Sequence, residues 1–138
     1  MPAEEEKACD LISELYWAMR KIFEDRLEEL GITFLEFKAL MHLKSTETQG
    51  DLLREMGVSK STASKVLSSL ERKGIVKRER RGRAYTIELT DKGLEMLKAI
   101  EKAGMELEEK MFSRMARKEK SEFLSLLKKA INGLEGNR

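Results

Sequence analysis

Between Val58 and Thr90 the chain places Lys60, Ser61, Thr62, Ser64 and Lys65 on a helical pattern, then Arg80, Arg81 and Arg83 around a tight turn. Short hydroxyls flanked by ammonium and guanidinium groups do non-covalent chemistry: hydrogen bonds at close range and ion pairs with a polyanion. The parts for bond-making chemistry are missing from the pattern. The chain has one cysteine, Cys9, and one histidine, His42. It shows no nucleophile-base pair, no metal-ligand spacing and no glycine-rich phosphate loop, since Gly82 and Gly93 stand alone. The expectation is therefore a binding protein, with no catalytic residue, metal or cofactor.

The charge is uneven. Residues 1–53 hold six Lys/Arg against twelve Asp/Glu, residues 54–83 hold ten against three, and residues 84–138 hold eleven against ten. The net charge of +2 thus conceals a thirty-residue segment at +7, the kind of local footprint that attracts phosphate backbones. The 138 residues suit one ordinary domain. The acidic start Met1-Pro2-Ala3-Glu4-Glu5-Glu6 is not a secretory signal, and no apolar run reaches the ~20 residues of a membrane span. A cytoplasmic protein is expected. Asn132, Asn137 and Gln49 are the only side-chain amides beside abundant Lys and Glu, a tendency of hyperthermophile proteins that points to an archaeal or thermophilic source.

The elements that must position these groups follow from periodicity and caps. A first helix is predicted over about Glu4–Leu30, with Leu11, Leu15, Ala18, Met19, Ile22 and Leu27 at three- and four-residue steps and Gly31 as its cap. Thr33-Phe34-Leu35-Glu36 reads as a capping box opening a helix to about Lys44. After a polar break at Ser45–Thr48, a short helix covers about Gln49–Met56, capped by Thr48 and closed by Gly57. Ser59 then caps a helix over about Lys60–Lys73, closed by Gly74. Two helices across so tight a glycine turn form a helix-turn-helix.

In the second of these, Ala63, Val66, Leu67 and Leu70 point one way, and Lys60, Ser61, Ser64, Lys65 and Ser68 the other, with Thr62 at the margin. Serines are poor helix formers, so exposing Ser61, Ser64, Ser68 and Ser69 costs a few tenths of a kcal/mol each, roughly. A face of short polar side chains can lie close against a groove. Strands are predicted at Ile75–Arg80 and Ala84–Leu89 about the turn Arg81-Gly82-Arg83, which puts three arginines at a hairpin tip able to reach a phosphate backbone or minor groove. Two more helices, about Asp91–Met115 and Arg117–Leu134, complete a mainly α winged helix-turn-helix with long flanking helices. A helix of 25 residues is about 37 Å long, more than the reading head covers, so a dimer is expected.

With this order assembled, the chain resembles the MarR family of transcription regulators over nearly its full length. The resemblance rests on Met56-Gly57-Val58-Ser59-Lys60-Ser61-Thr62, then Leu70-Glu71-Arg72-Lys73-Gly74-Ile75-Val76, then Leu89-Thr90-Asp91-Lys92-Gly93. It implies a single domain over residues 1–138, a DNA-binding region at 32–90, and dimerisation helices at 1–31 and 91–138. It also implies a homodimer that places recognition helices in successive major grooves of a pseudo-palindromic operator, as a repressor. Carried over by position, groove contacts fall to Lys60, Ser61, Thr62, Ser64 and Lys65, wing contacts to Arg80, Arg81 and Arg83, and a phosphate contact to Arg54. Family wings commonly carry a longer loop with an Asp, which Arg80-Arg81-Gly82-Arg83 lacks. That leaves the wing's internal salt bridge and its reach open.

Many relatives bind small aromatic acids, and Tyr16, Trp17, Phe34, Phe37 and His42 are the residues that could line such a cleft. As helix aromatics, the first four read rather as core, with His42 packed or at the surface, and no effector is assigned. Cys9 sits where some relatives keep a peroxide-sensing cysteine, but without tyrosine partners no redox role is expected. Two other readings stand beside the operator-binding dimer: a winged helix used as a protein adaptor in the transcription machinery, and a protein that coats DNA without reading it.

Overall fold

The computed structural model describes residues 7–43 and 49–136. Its elements are α1 (Ala8–Leu30), α2 (Phe34–Leu43), α3 (Gln49–Met56), α4 (Lys60–Arg72), β1 (Val76–Arg81), β2 (Ala84–Leu89), α5 (Asp91–Met111) and α6 (Arg117–Glu135). They fall into two compact units, one ending at Gly104 and one beginning at Met105. The predicted start at Glu4, the end at Lys44 and the break at Ser45–Thr48 with its Thr48 cap lie outside the described residues.

In the first unit the caps act as the residue types dictate. Gly31, at φ 80°, turns the chain out of α1, and the Ile32 N–H reaches back to the Leu27 carbonyl at 3.1 Å. Leu27 and Ile32 are both buried there, as a left-handed helix stop with its apolar contact requires. Thr33 and Glu36 form the reciprocal box: Glu36 N–H donates to Thr33 Oγ1 at 3.1 Å, and Thr33 N–H to Glu36 Oε1 at 2.8 Å. The core gathers Leu27, Leu40, Leu52, Leu67, Leu70, Ile75 and Val76, all at most 2% exposed. Each contributes about 2 kcal/mol of transfer free energy.

β1 and β2 pair antiparallel, from Val76 with Leu89 to Arg81 with Ala84. The strand therefore begins and ends one residue later than the pattern predicts, and the turn shrinks to Gly82-Arg83. Gly82 has φ 64° and Arg83 no positive φ, the two-residue geometry in which glycine takes the first central position and matches the strand twist. α5 then starts under Thr90, whose hydroxyl accepts from Gly93 N–H at 3.0 Å.

The second unit holds the end of α5, a turn and α6. The predicted helix to Met115 stops at Met111. There Ser113 Oγ donates to the Lys110 carbonyl at 2.7 Å, and Phe112 is buried edge-on against Phe123, 5.8 Å between centroids. Glu119 restrains the next start by accepting from Ala116 N–H at 2.8 Å. No residue of α6 is buried, and Leu126, Ile131 and Leu134 are exposed, Leu134 at 93%. No helix among the described residues is long and apolar enough to cross a membrane.

Candidate nucleic-acid interface

α4 is built as its residue pattern requires. Ser59 caps it with extended backbone and accepts from Thr62 N–H at 3.2 Å, a cap worth about 1 kcal/mol. Ala63, Val66, Leu67 and Leu70 are buried beneath it. On the other side Lys60, Ser61 and Lys65 are exposed, with Thr62, Ser64 and Ser68 half-buried. Ser59 Oγ donates to Thr62 Oγ1 at 2.9 Å and lies 3.3 Å from Ser61 Oγ, so the hydroxyls at the start of the helix form one short chain. Neither Lys60 nor Lys65 has an ion-pair partner among the described residues. One serine departs from expectation: Ser69 is not on the open face but donates inward to Glu36 Oε2 at 2.8 Å. At 100° per residue it lies round the helix from Ser61 and Ser68, toward α2.

Arg54, late in α3, is exposed and ion-paired with Asp51 one helical turn earlier. Such an exposed pair contributes a few tenths of a kcal/mol, so the guanidinium can exchange it for a phosphate at little cost.

The wing's arginines do not form one cluster. Strand alternation sends Arg78 and Arg80 to the face of Tyr85, with guanidinium carbons 5.7 and 5.9 Å from its ring centroid. Arg80 Nε also donates to the Gly82 carbonyl at 3.1 Å. Arg81 lies on the opposite face, 70% exposed and 3.8 Å from Glu79, where Lys77 meets Glu79 and Glu88 at 3.8 and 3.6 Å. The wing thus has an internal ion pair after all, its acid supplied by the strand rather than by the loop. Arg83 is exposed in the turn with no partner among the described residues. Arg78 ties the wing to α4 through Glu71, at 3.1 and 3.3 Å.

Sequence reasoning missed the group that joins these elements. Glu36 is 2% exposed. Besides Thr33 and Ser69 it accepts from Lys73 Nζ at 2.7 Å, and the same ammonium donates to the Gly31 carbonyl at 2.9 Å. Burial pushes the Glu36 carboxyl up, but hydrogen bonds from Lys73, Thr33 and Ser69 outweigh it and hold it below the ordinary carboxylate range. The only signal in the sequence was the capping box, which explains one oxygen of Glu36 and not its burial.

Beside Lys73 opens a cleft of about 720 Å³, lined by Arg20, Glu24, Glu28, Ile32, Phe34 and Lys73 among others. Arg20 lies 4.3 Å over the Phe34 ring. Phe34 and Phe37 are half-buried, as core aromatics at an edge. Tyr16 and Trp17 are not core in this chain: they are 48% and 61% exposed, edge-to-face at 5.4 Å. They lie on the half of α1 before Phe23, where no described residue buries them. His42 is half-exposed, 3.1 Å from Glu55, and Cys9 is a free, exposed thiol.

A helix pair across a glycine turn, followed by a basic hairpin packed on the second helix, defines a winged helix-turn-helix. Residues 30–84, from the end of α1 to the first residue of β2, match the model of the MarR family. The chain superposes on a MarR transcriptional regulator from Methanosarcina mazei at TM-score 0.77 and 27% identity, covering 96% of this chain and 93% of that one. MepR, described as a transcription regulator of the Staphylococcus aureus multidrug efflux pump MepA, gives TM-score 0.83 at 24% identity, covering 94% and 99%. A MepR mutant bound to an oligodeoxyribonucleotide gives 0.69 at 25%, with the same coverage. No curated protein sequence matches the chain. Residues 30–84 thus match the MarR family model, and the chain shares the winged-helix fold of solved MarR-family transcription regulators.

Proposed function

We propose that the chain is a cytoplasmic, sequence-specific regulator that binds double-stranded DNA as a homodimer on a pseudo-palindromic operator and represses by occluding a promoter. The observation that supports the reading is the open face of α4, where short hydroxyls stand between two exposed cations, Lys60 and Lys65, that have no ion-pair partner among the described residues. In it, Ser61, Thr62 and Ser64 bond base edges or phosphates, Lys60 and Lys65 reach guanine or the backbone, and Arg54 and Arg80 meet phosphates. Arg81 and Arg83 anchor the wing. The dimer is supported by apolar side chains that one chain leaves open: Leu11, Ile12, Tyr16 and Trp17 on α1, and separately Leu126, Ile131 and Leu134 on α6. Contiguous exposed apolar groups of this kind mark association surfaces.

The test is a salt series on duplex DNA. Each phosphate contact contributes about 0.9 to the log-log slope of affinity against salt. Arg83→Ala and Arg81→Ala are each expected to lower that slope by about one and to weaken binding evenly across sequences. An unchanged slope in both variants overturns the wing's role. A wild-type protein that binds no duplex even at low salt overturns the DNA reading, leaving the adaptor.

A further inference from the structure

We infer that Glu36 and Lys73 form a clamp that fixes the direction of α4, and so act as a positioning pair for sequence-selective binding. This rests on the DNA-binding reading above.

The clamp joins four elements at the end of α4 remote from its reading residues. Lys73, the residue that closes α4, reaches the carbonyl of Gly31 at the end of α1 and the carboxylate of Glu36 on α2. Ser69, one turn earlier on α4, takes the second carboxylate oxygen. From the other side Lys92 of α5 donates to the Lys73 carbonyl at 2.8 Å. Apolar packing around Leu67 and Leu70 resists separation but has no directional preference. Charge-assisted hydrogen bonds to both oxygens of one carboxylate do have direction. Burying the Glu36 carboxylate, with Lys73 only partly solvated beside it, also stabilises poorly compared with an apolar pair of the same volume, which points to orientation as what the charges add.

The lever is long enough to matter. Ser61 and Ser64 stand roughly ten residues from Lys73, about 15 Å along the helix at 1.5 Å per residue. A tilt of about 10° at the clamped end moves them by roughly 3 Å, more than the spread of hydrogen-bond lengths to a base edge. Phosphate attraction, which acts over about 8–10 Å, hardly changes. Loosening the clamp therefore erodes selectivity and spares general affinity.

The experiment compares the Kd for the preferred duplex with that for a scrambled duplex of equal length, at one salt concentration and well below each protein's melting point. Three proteins are measured: wild type, the double variant Glu36→Gln/Lys73→Met, and Ser69→Ala. The double variant removes one charge of each sign, so its net charge is that of wild type. It is expected to lose about tenfold in the ratio of the two constants, the value of roughly one base-edge contact, with the scrambled Kd unchanged. Ser69→Ala, which gains helix propensity, is expected to lose about threefold and decides the matter should the double variant not fold. A wild-type ratio well above one that both folded variants keep overturns the clamp alone. A wild-type ratio of one overturns the selective-binding reading and the clamp with it.

Discussion

Gly93→Ala is expected to destabilise the protein by about 3 kcal/mol, the upper end of overpacking costs, although alanine is the better helix former by about 1 kcal/mol. A Cβ at Gly93 would lie 2.2 Å from the Ile75 carbonyl oxygen and 3.1 Å from Leu89 Cδ2. The oxygen belongs to backbone and cannot swing aside. It already accepts from Thr90 N–H at 3.0 Å, and Thr90 Oγ1 lies 3.1 Å away. Relief would have to push the first turn of α5 away from the joint between α4 and β1. Thermal and urea unfolding of the variant read the loss directly. A variant as stable as wild type would mean that the α5 start does not pack on Ile75 as described. Gly104, in the same helix, has no atom of the described residues within 4 Å of where a Cβ would lie, so Gly104→Ala is the matched control and should cost nothing.

Lys73→Met is expected to cost about 2 kcal/mol at neutral pH, less than the 3–5 kcal/mol for splitting a fully buried pair because Lys73 is itself partly solvated. The cost should depend on pH in a defined direction. In wild type the Glu36 carboxyl titrates below its ordinary value because its hydrogen bonds, chiefly from Lys73, outweigh burial. Its stabilising contribution is therefore complete above the unfolded value of about 4.3 and is lost as pH falls through the lower folded value. Without Lys73 burial has the larger say, and the carboxyl moves up. The stability gap between wild type and variant should be widest near neutrality and close as pH drops below about 4. Urea titrations at several pH values measure it. A gap independent of pH would show that the methionine acts through packing alone and that the Glu36 charge is immaterial.

These two sites also show where residue patterns stop being informative. The caps at Thr33 and Ser59 and the apolar stripe of α4 are local, and each depends on neighbours three or four residues away at most. They were legible, and with them the winged helix-turn-helix. Glu36 and Lys73 meet across 37 residues, so the sequence shows an ordinary capping-box acid and an ordinary helix-end lysine, and Ser69 passes for one more exposed hydroxyl. Gly93 reads as an isolated glycine because its constraint is a carbonyl eighteen positions away. Arg80 and Arg81 read as one cluster until a one-residue shift of register assigns them to opposite faces of the hairpin. The α5 pattern runs on to Met115 because methionines at 111 and 115 keep the helical period. The chain instead turns at Phe112, whose ring packs on Phe123. Tyr16 and Trp17 read as core by residue type, and the described residues leave them about half exposed.

The central claim, selective recognition of duplex DNA by a dimer, is tested most directly by selection from a pool of random duplexes with the purified protein, repeated across a salt series. The account predicts enrichment of an inverted repeat whose half-sites are centred about one helical turn apart, roughly 34–36 Å, with affinity that falls steeply as salt rises. Binding that enriches no sequence and disappears at moderate salt would contradict it, and would leave a protein that coats DNA without reading it.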